Sequence, residues 1–249
     1  VFTRPRLQPP ELDEIAQRLR DIPLDQPIDE PGDLLAFYHP EVLRAISSLK
    51  RYFLDREQHG ALDFLDEWIR MVAINRLTGH SSGFFSVYTL PPNQATSAKA
   101  QRKINEKRRQ TPPRRDLPAI LLKKSRQLLG DCTPEVRRTL ARVAGGAQLL
   151  TGTSDATPAL ASGSVSLVVT SPPFLDIVQY AADNWLRCWF LGLDVKSVRI
   201  TMLRKLEDWQ AAMSAVFREL HRVLQPGGHV AFEVGEVRAG SIKLEEVVL

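Results

Sequence analysis

Two cysteines, Cys132 and Cys188, are all that the 249 residues contain. They stand far apart and outside any CxxC spacing, so neither a disulfide framework nor a zinc site is expected, and a reducing cytoplasm fits. Long apolar runs are also missing. None reaches the roughly 18 residues that a membrane span needs, so no membrane partner is expected. The opening stretch, Val-Phe-Thr-Arg-Pro-Arg-Leu-Gln-Pro-Pro, lacks the apolar segment of a secretory signal. The chain starts with valine and stops, at Leu244-Glu-Glu-Val-Val-Leu249, inside an apolar run, which leads us to expect a fragment.

What is present separates into three regions. Residues 1–95 read as a helical region. Leu12, Ile15, Leu19 and Ile22 share a face over 11–22, and Val42, Leu43, Ile46, Leu49 and Phe53 do so over 40–54 behind Pro40. Leu62, Leu65, Ile69, Val72 and Ala73 repeat the pattern over 61–77, and 78–95 reads as a Gly-, Ser- and Pro-rich loop with room for one short strand.

Residues 96–146 form a basic helical segment. Between Lys99 and Arg126, eleven cations face only Glu106 and Asp116, a local charge of +9 in a chain whose total is +4. Arg102, Lys103, Lys107, Arg108, Arg109, Arg114 and Arg115 are the candidate contacts to a polyphosphate partner, each one able to release a counterion. The alternative is a solvated helix face.

From residue 147 to 249 the pattern becomes α/β. Gln148-Leu-Leu-Thr151 is a short strand candidate, and Val165-Ser-Leu-Val-Val-Thr170 a stronger, β-branched one. Helices are expected over about 175–190 and 206–224, the second closed by Gln225-Pro-Gly-Gly228 before a strand at 229–234. Trp185, Trp189 and Phe190 read as core. Strands alternating with helices point to a parallel, doubly wound sheet.

Directly after strand 165–170 comes Ser171-Pro-Pro-Phe174, where doubly wound sheets bind ligands. The prolines stiffen the turn and fix Ser171, the Pro172 carbonyl and Phe174 relative to one another. By itself such a triplet is also what a proline-stiffened structural turn looks like.

Thr170-Ser-Pro-Pro-Phe174 resembles the SPPY or SPPF motif of the amino-methylating DNA methyltransferases. Arg222-Val-Leu-Gln-Pro-Gly-Gly228 and the strand after it are similar to a segment of class I S-adenosylmethionine-dependent methyltransferases. Leu149-Leu-Thr-Gly-Thr-Ser-Asp155 with Ser162-Gly-Ser-Val-Ser-Leu-Val-Val169 resembles the passage leading into the motif. The resemblance covers 147–235. It implies a partial Rossmann-like class I sheet over about 147–249, forming the catalytic half of the domain. It further implies S-adenosylmethionine as cofactor, double-stranded DNA as partner, and a place among the DNA-modification enzymes of restriction–modification systems. Ser171, Pro172, Pro173 and Phe174 are the implied catalytic residues. Gly152, Thr153, Asp155 and Thr170 are the implied cofactor contacts, although the family commonly has Asp where Thr153 stands.

The chemistry such a motif must perform is defined. The lone pair of an exocyclic amino group is delocalised into the base. A hydroxyl and a backbone carbonyl that hold its protons favour a pyramidal nitrogen and stabilise the charge developing on it. An aromatic ring stacks on a base taken out of the duplex. In the family, serine before Pro-Pro accompanies cytosine N4 and aspartate accompanies adenine N6, so N4 of cytosine is the first expectation and N6 of adenine the alternative. Carbon-5 methylation needs a thiolate, usually after proline. Here Cys132 follows Asp131 and Cys188 follows Arg187.

One part of the family pattern is missing. No DPFxGSG-like cofactor turn occurs: Gly79–Gly83, Gly145-Gly146 and Pro226-Gly227-Gly228 do not match it. The expectation is that a preceding segment or a second chain supplies it. A non-catalytic DNA-binding protein on a degenerate methyltransferase scaffold is the competing reading.

Overall fold

Several helices begin where the sequence supplies a capping side chain. The computed structural model describes the chain except residues 28–30, 91–95, 174, 176–179, 198–202, 238–239 and 249, and the side chains of 180 and 181. Packing divides it into two units, residues 1–149 with 181–198, and residues 150–180 with 199–249.

The first unit holds α1 (Arg4–Leu7), α2 (Leu12–Asp21), α3 (Pro40–Gln58), α4 (Phe64–Ile74), α5 (Ala98–Arg108), α6 (Leu117–Leu129) and α7 (Pro134–Gly146). Ser97, Asp116 and Thr133 each accept the backbone N–H three residues on, satisfying a donor that the first turn leaves without a partner. Asp63 and Asp66 form a reciprocal capping box on α4. The apolar face expected over 40–54 is buried: Val42, Leu43, Ile46, Leu49 and Phe53 pack with Trp68, Ile69 and Val72 of α4. Asp66 is fully buried, and the cluster around it neutralises its charge. Arg56 Nε donates to it at 2.6 Å, Tyr52 Oη at 3.0 Å, and Arg18 completes the set.

Residues 78–90 form no strand, only a single parallel bridge between Gly79 and Tyr88. The indole of Trp68 donates to Ser125 Oγ at 3.0 Å and ties α4 to α6. Most of α8 (Tyr180–Phe190) also belongs to this unit, and Phe190 meets Phe53 edge-on at 6.2 Å. Trp185, Trp189 and Phe190 thus pack on this core, as their pattern predicts.

The second unit is α/β. Strands β1 (Val165–Thr170) and β2 (Leu224–Phe232) pair in parallel, with α9 (Leu206–Val223) leading into β2. Strands β3 (Glu236–Val237) and β4 (Ile242–Lys243) make a short antiparallel pair, followed by α10 (Leu244–Val248). Leu175, Trp209, Met213, Val237 and Leu244 form its core.

Two sequence expectations need correction. Residues 148–151 are not a strand: Leu149 and Leu150 are exposed, and among the described residues no strand pairs with them. The Pro-Gly-Gly segment is not a linker between helix and strand either. β2 already begins at Leu224, opposite Val165, and slips register before His229 meets Leu167. Gly227 takes a left-handed φ of 79° there, and Gly228 lets two backbones approach closely.

The parallel sheet leaves Leu167 and Val169 59% and 75% exposed, unlike the doubly covered sheets in which parallel strands usually occur. Among the described residues no helix is long and apolar enough to cross a membrane. The protein is thus a helical N-terminal part joined to an α/β unit with a small parallel sheet.

Candidate active site

The carboxyl end of β1 opens into a cleft of about 310 Å³ lined by residues of the second unit alone. Thr170 is the last paired residue of β1, opposite Phe232, and its carbonyl accepts from Glu233 N–H at 2.9 Å. The chain then leaves the sheet through Ser171, which is exposed, and the half-buried Pro172 and Pro173. The buried indole of Trp209 donates to the Pro173 carbonyl at 3.0 Å, so α9 holds the double-proline turn in place. Phe174 lies outside the described residues.

Gly152, Thr153 and Asp155 line this same cleft with Thr170, Ser171, Pro172 and Pro173. Seven of the eight residues expected to form the catalytic and cofactor set therefore meet in one place, although up to 21 positions separate them in sequence. Gly152 has open space around the position of a Cβ, so no internal packing demands glycine there.

The loop behind the cleft is clamped. Glu219 of α9 accepts from Thr157 N–H at 2.7 Å and from the Thr157 hydroxyl, while Arg222 donates to the Thr157 and Leu160 carbonyls at 3.0 Å. Glu219 and Arg222 bond each other at 2.7 Å. The Arg222 hydrogen bond, with those from Thr157, pulls the Glu219 carboxyl down to about 2, and Glu219 in turn raises the Arg222 guanidinium.

Sequence patterning missed several of these contributors. Ala212, Met213 and Val216 fall inside the helix expected over 206–224 with nothing in the pattern to mark them as site residues, yet they form the apolar wall of the cleft with Phe232. Trp209 carried a signal, since a buried indole N–H needs an acceptor. Glu219 and Arg222 carried another, an acid and a base one turn apart.

The seven basic candidates lie in the first unit. Arg102, Lys103, Lys107, Arg108, Arg109 and Arg114 are exposed and Arg115 is half-buried. Arg102 pairs with Asp33, Arg114 pairs with Glu41 at 2.8 Å, and Arg108 lies 3.8 Å from the centre of the Tyr88 ring. Arg109 ends α5 in the left-handed region, φ 49°.

Comparison with protein-family models, with curated proteins and with solved structures found no match to this chain.

Proposed function

We propose that the second unit is the catalytic half of a class I methyltransferase domain. It transfers a methyl group from S-adenosylmethionine to an exocyclic amino group in double-stranded DNA, N4 of cytosine in the first instance. The single observation behind this reading is the meeting of loop 152–155, the Thr170-Ser-Pro-Pro173 turn and the apolar face of α9 in one cleft beyond a parallel strand.

The cleft fits part of the cofactor. Its wall of Ala212, Met213, Val216 and Phe232 suits a flat purine, and Asp155 offers an acceptor to sugar or amino protons. Among the described lining residues no cation is available for the amino-acid carboxylate. When bound, S-adenosylmethionine supplies an electrophilic methyl on sulfur.

The chain's own part is to present the nucleophile. The Ser171 hydroxyl and the Pro172 carbonyl accept the two amino protons and hold the nitrogen pyramidal. The Trp209 bond to the next carbonyl keeps that geometry from relaxing. The ring that the resemblance implies for stacking on the flipped base is that of Phe174.

Thr153 in place of the common aspartate, and the missing glycine-rich turn, favour a second reading: a DNA-binding protein on a degenerate scaffold. Mass analysis of nucleosides from DNA incubated with protein and cofactor separates the two. N4-methylcytosine supports the proposal. N6-methyladenine alone refutes the choice of base and keeps the mechanism. No modified nucleoside, despite DNA binding, supports the second reading.

A further inference from the structure

The first unit contains a second cleft, of about 330 Å³, away from the exposed face of α5. Arg76, just beyond α4, lines it together with Arg114 and Arg115 before α6, and Lys123 and Lys124 within α6. Its one carboxylate, Asp116, is committed to capping α6 through Ala119 N–H at 2.9 Å. Glu41 neutralises Arg114. Lys124 donates to the neutral Gln127 side chain at 2.9 Å. Arg76 lies 4.1 Å from the centre of the Phe84 ring and donates to the Asn75 carbonyl. Arg115 Nε is buried without a hydrogen-bond partner. Among the described residues, then, Arg76, Arg115, Lys123 and Lys124 line one cleft with no carboxylate paired to any of them.

Like charges are not gathered this way at no cost. Burial, and then the charge of Arg76, lower the Lys124 ammonium below its ordinary value, and burial lowers Arg76 as well. An anion in the cleft would relieve that repulsion. The lining has no aromatic face to stack a base and no uncommitted acid for a ribose, so a nucleotide would be held by its phosphate alone. A phosphate carried past the opening by a strand fits better. Ala119 and Ile120 offer an apolar floor suited to the adjoining sugar.

We propose that this cleft is a phosphate site that holds a backbone phosphodiester of the DNA substrate, with Arg115, Lys123 and Lys124 as its main ligands. The proposal rests on the reading of DNA as substrate. It gives the strongest phosphate contact to this cleft and a lesser share to α5, where Arg102 is already paired and Arg108 stacked.

The test measures binding of a short fluorescent duplex to the full chain between about 50 and about 200 mM salt. Lys123→Ala/Lys124→Ala is compared with the α5 variant Lys103→Ala/Lys107→Ala. Each lost phosphate contact lowers the slope of log affinity against log salt by about 1. The cleft variant should lose about 1 to 2 from that slope and at least tenfold in affinity, and the α5 variant less than half as much. Lys123→Gln/Lys124→Gln, with an unchanged melting temperature, should behave as the alanine pair does. If the wild type binds DNA and the cleft variants keep its slope, the cleft proposal is overturned and the DNA reading stands. If the wild type binds inorganic pyrophosphate but no duplex, the site takes free phosphates, and both the backbone assignment and the DNA reading are overturned.

Discussion

Trp209 and Pro173 are joined by one hydrogen bond, indole Nε1 to carbonyl at 3.0 Å, across 36 positions of sequence. The bond links the first turns of α9 to the turn that carries Ser171, so the orientation of the motif is set by a helix outside it. Trp209→Phe keeps a ring in the core and leaves the carbonyl without its donor. It should cost about 1–3 kcal/mol in denaturant unfolding and lower turnover about tenfold. Turnover equal to wild type would show that the motif holds its shape unaided.

Gly228 and Gly152 should respond in opposite ways to the same change. A Cβ at Gly228 would sit 2.9 Å from Leu224 Cδ2, 3.0 Å from the Gln225 carbonyl and 3.2 Å from the Val165 carbonyl. Both carbonyl contacts are backbone, and Val165 is paired across to Leu224, so Gly228→Ala should destabilise the protein by about 1–3 kcal/mol. At Gly152 the same methyl meets nothing within 4 Å. Gly152→Ala should therefore leave stability within about 0.5 kcal/mol and act on cofactor affinity alone. Melting curves of the two variants, with a cofactor titration of the second, check both halves.

Acid should release the loop behind the cleft. The Glu219 carboxyl is depressed from 4.5 to about 2 by Arg222 and Thr157. A depressed carboxyl contributes stability that is fully present above the ordinary value, and it is lost as pH falls through the folded one. The Glu219 contribution should thus decline between pH 4.5 and about 2. Unfolding measured across that window should show the decline in wild type and a smaller one in Glu219→Gln. Identical slopes would show that the clamp adds nothing to stability.

Much of this was legible in the sequence. Helix α3 and helix α9 follow from apolar residues three and four apart, and β1 from its β-branched run, because each pattern is local. The Pro-Gly-Gly segment reads as a helix stop in the sequence and is part of a strand in the fold, for a physical reason. The residues that usually break a helix here also allow β2 to bulge and pass close to Val165, which shows only once the partner strand is in place. Residues 148–151 have the composition of a strand but pair with no neighbour among the described residues. The cations of 99–126 were visible as a run. That Lys123 and Lys124 share a cleft with Arg76 while Arg102 is tied to Asp33 depends on how α4 and α6 pack.

Affinity for S-adenosylmethionine should be weak in this chain. On the proposed reading the apolar wall and Asp155 would serve one end of the cofactor, and the sequence has no glycine-rich turn for the other. Micromolar binding, about −8 kcal/mol, needs contacts along the whole molecule on a preorganised site. Calorimetric titration should give a dissociation constant well above micromolar. Tight, stoichiometric binding would mean that the 249 residues hold the cofactor by a route other than the family's glycine turn.

The central claim is that the Ser171 turn performs amino methylation. The most direct measurement is the rate of methyl incorporation into DNA by wild type and Ser171→Ala, at about millimolar cofactor so that weak affinity does not mask the comparison. Removing one acceptor from the developing charge should lower the rate about a hundredfold, with the DNA dissociation constant within about twofold of wild type. An equal rate from Ser171→Ala, in a preparation whose wild type methylates DNA, would contradict it.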